Sequence, residues 1–295
     1  ARLEAEVVLI DQPQFRQEVE GRILASGRRE QISYVASELN ALPEQLLLSL
    51  GVSSKFSVEA LQELYEGIAF ACREQGIDLV GGDTKASVTG LVLSLTAAGH
   101  APKERIVSRG GAQQNDLICI SGNLGAAYMG LRLLEREKRV LADVKDPEPK
   151  FAGYEYLLEK YLKPRLRKDI VEALAEEGIV PTSMIDLSDG LSSDLMQICK
   201  ASKCGARIYL DRIPIARQTY ALAEELNADP VVAALNGGED HELLFTVPLA
   251  LQEQVMRMGC VDVIGHITPE STGVYLVTPD GADIRLKAQG FPEKE

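Results

Sequence analysis

Apolar positions along the chain fall into two periods, and the switches between them mark the elements. Leu46-Leu47-Leu48-Ser49-Leu50-Gly51-Val52 is an apolar run that fits a buried strand or a short helix equally well. From Ser57 onward, Leu61, Leu64, Ile68, Ala71 and Cys72 share one helical stripe. Ser57 suits the N-cap, Glu59 the first turn and Gly76 the end, so a helix between them is predicted. Ile77-Asp78-Leu79-Val80 reads as a strand running into Gly81-Gly82-Asp83-Thr84, and Leu91-Val92-Leu93-Ser94-Leu95-Thr96 alternates as another. Nearer the start, Val7-Val8-Leu9-Ile10 reads as a strand, while 12–29 is polar and weakly patterned. Residues 102–114 are polar and break the pattern, which predicts a boundary between domains 1–103 and 104–295.

The second domain opens with the strand Asp116-Leu117-Ile118-Cys119-Ile120-Ser121, the loop Gly122-Asn123-Leu124-Gly125 and a helix over 126–138. Strand, glycine loop and helix N-terminus together form an anion-binding arrangement, because free amides and the helix dipole both favour negative charge. No Gly-Lys-Ser/Thr follows, so it is not a Walker A loop. Residues 143–151 read as a surface loop, and Lys163-Pro164-Arg165-Leu166-Arg167-Lys168-Asp169 as the start of a helix reaching Gly178. Its cations fit a phosphate contact or a solvated basic turn. Further on, 206–210 reads as a strand and 216–227 as a helix; strands follow at 243–247, 261–267, 273–278 and 282–286, with Pro279-Asp280-Gly281 as a hairpin turn.

Composition narrows the function classes. The 44 acidic and 31 basic residues give a formal charge of −13, which repels nucleic acid and anionic membranes, and no compensating basic patch stands in the sequence. Five cysteines without a C-x-x-C pair argue against a disulfide framework or structural zinc and for a reducing compartment. No apolar run is long enough to span a bilayer and no signal-peptide pattern opens the chain, so the cytoplasm is expected. The length, 295 residues, favours two domains.

Three glycine and acid elements carry the chemistry. In Met184-Ile185-Asp186-Leu187-Ser188-Asp189-Gly190-Leu191, a strand delivers two carboxylates and a hydroxyl to a helix start. One acid suffices for a cap; the surplus oxygen suits magnesium on nucleotide phosphates, with capping as the alternative. In Gly81-Gly82-Asp83-Thr84 two glycines permit a sharp bend beside oxygen donors, and a plain turn with a capping Asp fits equally. Asn236-Gly237-Gly238-Glu239-Asp240-His241-Glu242 holds more acid beside an apolar strand than a solvated turn requires, which favours a ligand role.

In this order, Gly-Gly-Asp-Thr, Ile-Asp-Leu-Ser-Asp-Gly-Leu and Gly-Gly-Glu-Asp-His-Glu-Leu-Leu-Phe resemble the thiamine-monophosphate kinases of the aminoimidazole ribonucleotide synthetase superfamily. The resemblance extends over 39–291, including Val52-Ser53-Ser54-Lys55-Phe56-Ser57-Val58 and Ala288-Gln289-Gly290-Phe291. It implies an α+β fold of two α/β-type domains with mixed sheets covered by helices, the first binding ATP and metal and serving dimerisation. It further implies transfer of the ATP γ-phosphate to thiamine monophosphate, giving thiamine diphosphate, with Mg2+ and a homodimer. By that resemblance Asp83, Asp186 and Asp189 would ligate metal, while Gly82, Asp83, Arg109 and Ser188 would contact ATP. Asp189 and Arg109 would be catalytic, and Glu239 and Phe291 would meet the thiamine substrate. The family also carries a Gly-Asp-Asp element, which would lie upstream of Ala1, then a Thr-Asp followed by Glu-Gly-x-His, loosely matched by Asp11, and a Ser-Asp where Tyr34-Val35 or Ser37-Glu38 stands. Many relatives follow Gly-Gly-Asp-Thr with Thr-Arg, where this chain has Lys85-Ala86. A second expectation is therefore a catalytically impaired paralogue binding nucleotide and thiamine phosphate, or another ATP-dependent synthetase of the superfamily.

Overall fold

The computed structural model describes residues 2–8, 42–88, 90–100, 102–142 and 149–288; the expectations resting on Leu9, Ile10, Asp11, 12–29, 34–38, 143–148 and Phe291 lie outside them. Two compact units divide the chain, Ala1–Ile106 and Val107–Glu295.

In the first unit β1 (Arg2–Val8), β2 (Leu42–Val52), β3 (Asp78–Ala86) and β4 (Leu91–His100) form one sheet in the order β1-β4-β2-β3. Only the β2–β3 pair is parallel. The apolar run that fitted strand or helix is strand β2. Its period of two buries Leu46, Leu48 and Leu50 and leaves Leu47 46% exposed on the other face. Against the buried face lies α1 (Val58–Gln75), which contributes Leu64, Ile68 and Cys72 to the core. Its caps are those the sequence predicts: Ser57 Oγ accepts from Ala60 N at 3.2 Å, and Gly76 takes the left-handed conformation at φ 68°.

Gly81-Gly82-Asp83-Thr84 is not a turn. It lies inside β3, and the expected bend is a register irregularity, where Leu46 pairs with Leu79 and Leu47 with Gly81. Gly82 is needed there for packing, because an added Cβ would sit 1.9 Å from the Leu48 carbonyl oxygen.

The second unit holds β5 (Leu117–Ser121), β6 (Ser183–Asp186), β7 (Cys204–Tyr209), β8 (Leu243–Val247), β9 (Val261–Pro269), β10 (Val274–Val277) and β11 (Asp283–Arg285), ordered β11-β10-β7-β9-β5-β8-β6. Helices cover both faces, so the central strands are buried on each side. Ile118, Ile120, Ile185 and Leu244 face one core with Leu191, Leu195 and Ile198 of the helix Leu191–Ser202. Leu117, Cys119, Met184 and Phe245 face the other, with Ile170 and Leu174 of Lys168–Glu176 and Val255 of Gln252–Met258. The helices are numbered in chain order: α2 (Ala126–Val140), α3 (Glu155–Leu162), α4 (Lys168–Glu176), α5 (Leu191–Ser202), α6 (Arg217–Glu225), α7 (Pro230–Asn236) and α8 (Gln252–Met258). Pro164 therefore lies between α3 and α4 rather than in a first turn. Its missing N–H and its steric restriction of Lys163 suit the end of α3 instead.

Candidate active site

Two loops at one end of the second sheet interlock backbone to backbone. The first, 187–190, leaves β6 for α5; the second, 237–242, leaves α7 for β8. Leu187 N donates to Glu242 O at 2.8 Å, His241 N to Leu187 O at 2.9 Å and Glu239 N to Ser188 O at 2.9 Å. Such proximity demands glycine. At Gly238 (φ +70°) an added Cβ would meet Ser188 O at 2.5 Å, and at Gly190 (φ +101°) it would meet Leu235 O at 2.9 Å. The two glycine motifs of the sequence are thus each other's packing partners. Their pairing brings Asp186, Ser188 and Asp189 beside Glu239, which itself holds φ +61°, next to His241 at φ +50°. Left-handed conformations at non-glycine residues concentrate at functional sites because the surrounding structure must enforce them.

The acids of the second loop then separate by role. Asp240 is buried and accepts from Gly125 N at 2.7 Å and Ala127 N at 3.2 Å, at the N-terminus of α2. The anion-binding arrangement expected at this helix start is real, but its anion is the chain's own carboxylate. Burial pushes the Asp240 carboxyl up to about 7, against the pull of those two amides. Glu242 is also buried; it accepts from Ser121 Oγ at 2.6 Å and Lys160 Nζ at 2.8 Å, and it pairs with the Arg167 guanidinium. Gly122 makes room for it, since an added Cβ would lie 2.1 Å from Glu242 Oε1. Arg167 is therefore neither a phosphate contact nor a solvated cation but half of a buried pair. Glu239, with its side chain 50% exposed, remains open to a ligand.

On the first loop the question of capping is settled by a residue outside the expected set. Gly190 is the N-cap of α5 and no side chain caps it, but Asp194 Oδ2 accepts from Asp189 N at 3.1 Å. Asp194 stands three residues after Leu191, within the stripe Leu191, Leu195, Ile198, and that helical spacing, which turns it inward, is the local sign of it in the sequence. Burial, then the charges of Asp186 and Asp189, push its carboxyl up to about 8. Across the interface of the loops, His241 lies buried with Nδ1 3.7 Å from Asp186 Oδ2 and Nε2 3.4 Å from Glu239 Oε2. Burial opposes its charge, but the two carboxylates prevail and raise it to about 9.

A pH dependence follows from Asp194. Its carboxyl titrates near 8 in the folded chain and near 3.9 when unfolded, so between those values the folded state holds the extra proton. Stability then falls as pH rises from about 4 to about 8. Asp194→Asn removes this slope, and denaturant midpoints taken without divalent cation are expected to favour the variant by on the order of a few kcal/mol at pH 8.5 but not at pH 4. Parallel pH profiles for parent and variant would refute this.

Arg109 is exposed, on a segment pinned where Met184 N donates to Ser108 O at 3.2 Å and Gly111 N and Ala112 N donate to Ser202 Oγ at 3.1 Å each. In the first unit Asp83 lies on the exposed strand β3 with Lys85 Nζ 2.9 Å from Oδ2, and this cation holds the Asp83 carboxyl below its usual value. Among the described residues no three His, Cys, Asp or Glu side chains form a metal cage.

Family models for AIR synthase related proteins match both units, the N-terminal domain over 37–101 and the C-terminal domain over 116–280. Fold and paired glycine loops thus define an AIR synthase related protein, with the mixed, helix-covered sheets expected from the sequence. Thiamine-monophosphate kinase of Buchnera aphidicola subsp. Schizaphis graminum is 34% identical over 264 residues, 86% of this chain and 75% of that one. The enzyme of Escherichia coli K12 is 36% identical over 218 residues, 73% of this chain and 60% of its own. A solved structure of AaThiL complexed with AMPPCP and TMP superposes with a TM-score of 0.80 at 26% identity, over 97% of this chain and 86% of that one. The chain belongs to the thiamine-monophosphate kinase family, and the kinase class expected from the sequence is borne out.

Proposed function

We propose that the chain transfers the γ-phosphate of ATP to thiamine monophosphate, giving thiamine diphosphate and ADP. The observation that carries this reading is the interlocked pair of loops, which holds Asp186, Ser188 and Asp189 beside Glu239 after Asp194, Asp240 and Glu242 have been committed to the fold. An oxygen of the acceptor monophosphate attacks the γ-phosphorus and the bond to the β–γ bridging oxygen breaks. Because a phosphate monoester is largely ionised at neutral pH, with a second pKa of about 6, the attack needs no general base. Positioning and charge neutralisation are what remains for the protein to supply.

Asp186 and Asp189 would hold magnesium, and Asp83 is a further carboxylate that the resemblance assigns to metal. The donor chemistry fits: Asp186 and Asp189 bring hard carboxylate oxygens together, and their charges add to burial in raising the neighbouring Asp194. Magnesium commonly takes only one or two carboxylates, completing its shell with water and phosphate, so a three-residue cage is not required. When bound, the ion neutralises the phosphates that must approach each other. Gly82 and Ser188 contact ATP, Arg109 steadies the transferred phosphoryl group, and Glu239 and Phe291 meet the thiamine.

The first unit binds ATP and metal and pairs two copies into a homodimer. Its edge strand β3 is exposed along its whole length, and Leu47, Leu79 and Val80 lie open nearby, as an unprotected pairing edge would. Among the described residues no helix is long and apolar enough to cross a membrane. The free cysteines support a cytoplasmic setting.

Purified chain is expected to convert thiamine monophosphate to thiamine diphosphate with ATP and magnesium, measured by fluorescence after oxidation to thiochromes, and to stop when EDTA is added. Failure to turn over ATP on any thiamine phosphate would remove the assignment.

A further inference from the structure

Between the two loops, one side chain lies within ion-pair range of two carboxylates. His241 is buried, 5% exposed, and its two ring nitrogens face Asp186 at 3.7 Å and Glu239 at 3.4 Å. The backbone reinforces this placement. His241 N donates to Leu187 O while Glu239 N donates to Ser188 O, so the ring is anchored to the very segment that carries Asp186. Its neighbours in sequence, Asp240 and Glu242, are held at α2 and at Lys160, which leaves the loop little freedom to withdraw the ring. Glu239, half exposed, would otherwise sample several rotamers, and holding it in one costs side-chain entropy.

We propose that His241 is a positioning residue, whose buried ring ties the Asp186 carboxylate of the metal-binding loop to the Glu239 carboxylate of the substrate-binding loop. Resting on the function proposed above, this deepens it: cation and thiamine substrate are bound in coupled geometry, and either loop reports on the other through the ring. Errors of an ångström between reacting groups cost about 100-fold in rate, so such a tie acts on turnover and not only on affinity.

The test is a double-variant cycle in the full chain. His241→Asn retains a residue that tolerates a positive φ but is too short to reach both carboxylates. It is expected to lower kcat by about 10- to 100-fold and to raise KM for thiamine monophosphate. Glu239→Gln should cost at least several-fold less in the His241→Asn background than in the parent. Equal factors in both backgrounds, or kinetics unchanged by His241→Asn, would overturn the proposal. Manganese titration followed by electron paramagnetic resonance gives a readout independent of catalysis and of whether His241→Asn folds. Glu239→Gln, altered only at a half-exposed side chain, is expected to weaken manganese binding through His241. Unaltered manganese affinity in Glu239→Gln refutes the tie, whereas a parent that binds manganese but makes no thiamine diphosphate refutes the function alone.

Discussion

Asp189→Asn is expected to lower kcat by about 100- to 1,000-fold, the range found when one preorganised electrostatic contact to a transition state is removed. The fold is expected to survive intact. Asp189 is exposed, and what it contributes to the loop is its backbone N–H, donated to Asp194 at 3.1 Å, which the amide variant retains. The Asp189 charge is also one of the two that push Asp194 upward, so its removal relieves repulsion and leaves stability unchanged or slightly raised. Steady-state kinetics at saturating ATP, paired with urea denaturation, separate the two effects. A variant as active as the parent would take Asp189 out of the metal site, and one that is inactive because it is unfolded would give it a structural role instead.

Local pattern carried the first unit's helix and most strands of the second unit well, because caps and periodicity are read within a few residues. Ser57 and Gly76 bound α1 where the stripe begins and ends, and the turn at Pro279-Asp280-Gly281 links β10 to β11 as its residues demand. The fate of the acids was not legible in the same way. Within 239–242, where Glu239 and His241 take positive φ, His241 faces Asp186 and Glu239 while Asp240 and Glu242 turn toward α2 and β5. The partners of Asp240 and Glu242 stand 75 to 121 residues earlier, beyond the reach of any local motif. For the same reason Gly81-Gly82 read as a turn: its placement inside β3 depends on a parallel partner, β2, some thirty residues away. The short helices α3, α7 and α8 offer only two turns of periodicity each, too little to stand out from their flanks. Asp194 was hidden differently, as a carboxylate in an apolar stripe, where the pattern is informative only once burial is known.

Glu242→Gln is expected to destabilise the second unit by about 3–5 kcal/mol, because breaking a buried ion pair strands the opposite charge rather than merely losing a contact. Two cations depend on this carboxylate. Lys160, on α3, reaches it at 2.8 Å with its side chain 24% exposed, and Arg167, just before α4, pairs with it while 15% exposed. Arg167 keeps a second partner in Asp169 at 2.9 Å, but Asp169 lies toward solvent and does not replace the buried charge. The amide preserves shape and the hydrogen bond from Ser121 but cannot neutralise two cations, so the loss is electrostatic and not a cavity. At about 2–4 °C per kcal/mol for a domain of this size, the melting temperature should fall by roughly 10 °C. If the cause is stranded charge, adding Lys160→Met and Arg167→Met to Glu242→Leu should recover much of the loss, since buried ion pairs are often replaced by apolar side chains at little cost. Additive losses across that series would instead mean that the three side chains act through packing, and a Glu242→Gln protein melting with the parent would remove the buried pair from the fold's stability altogether.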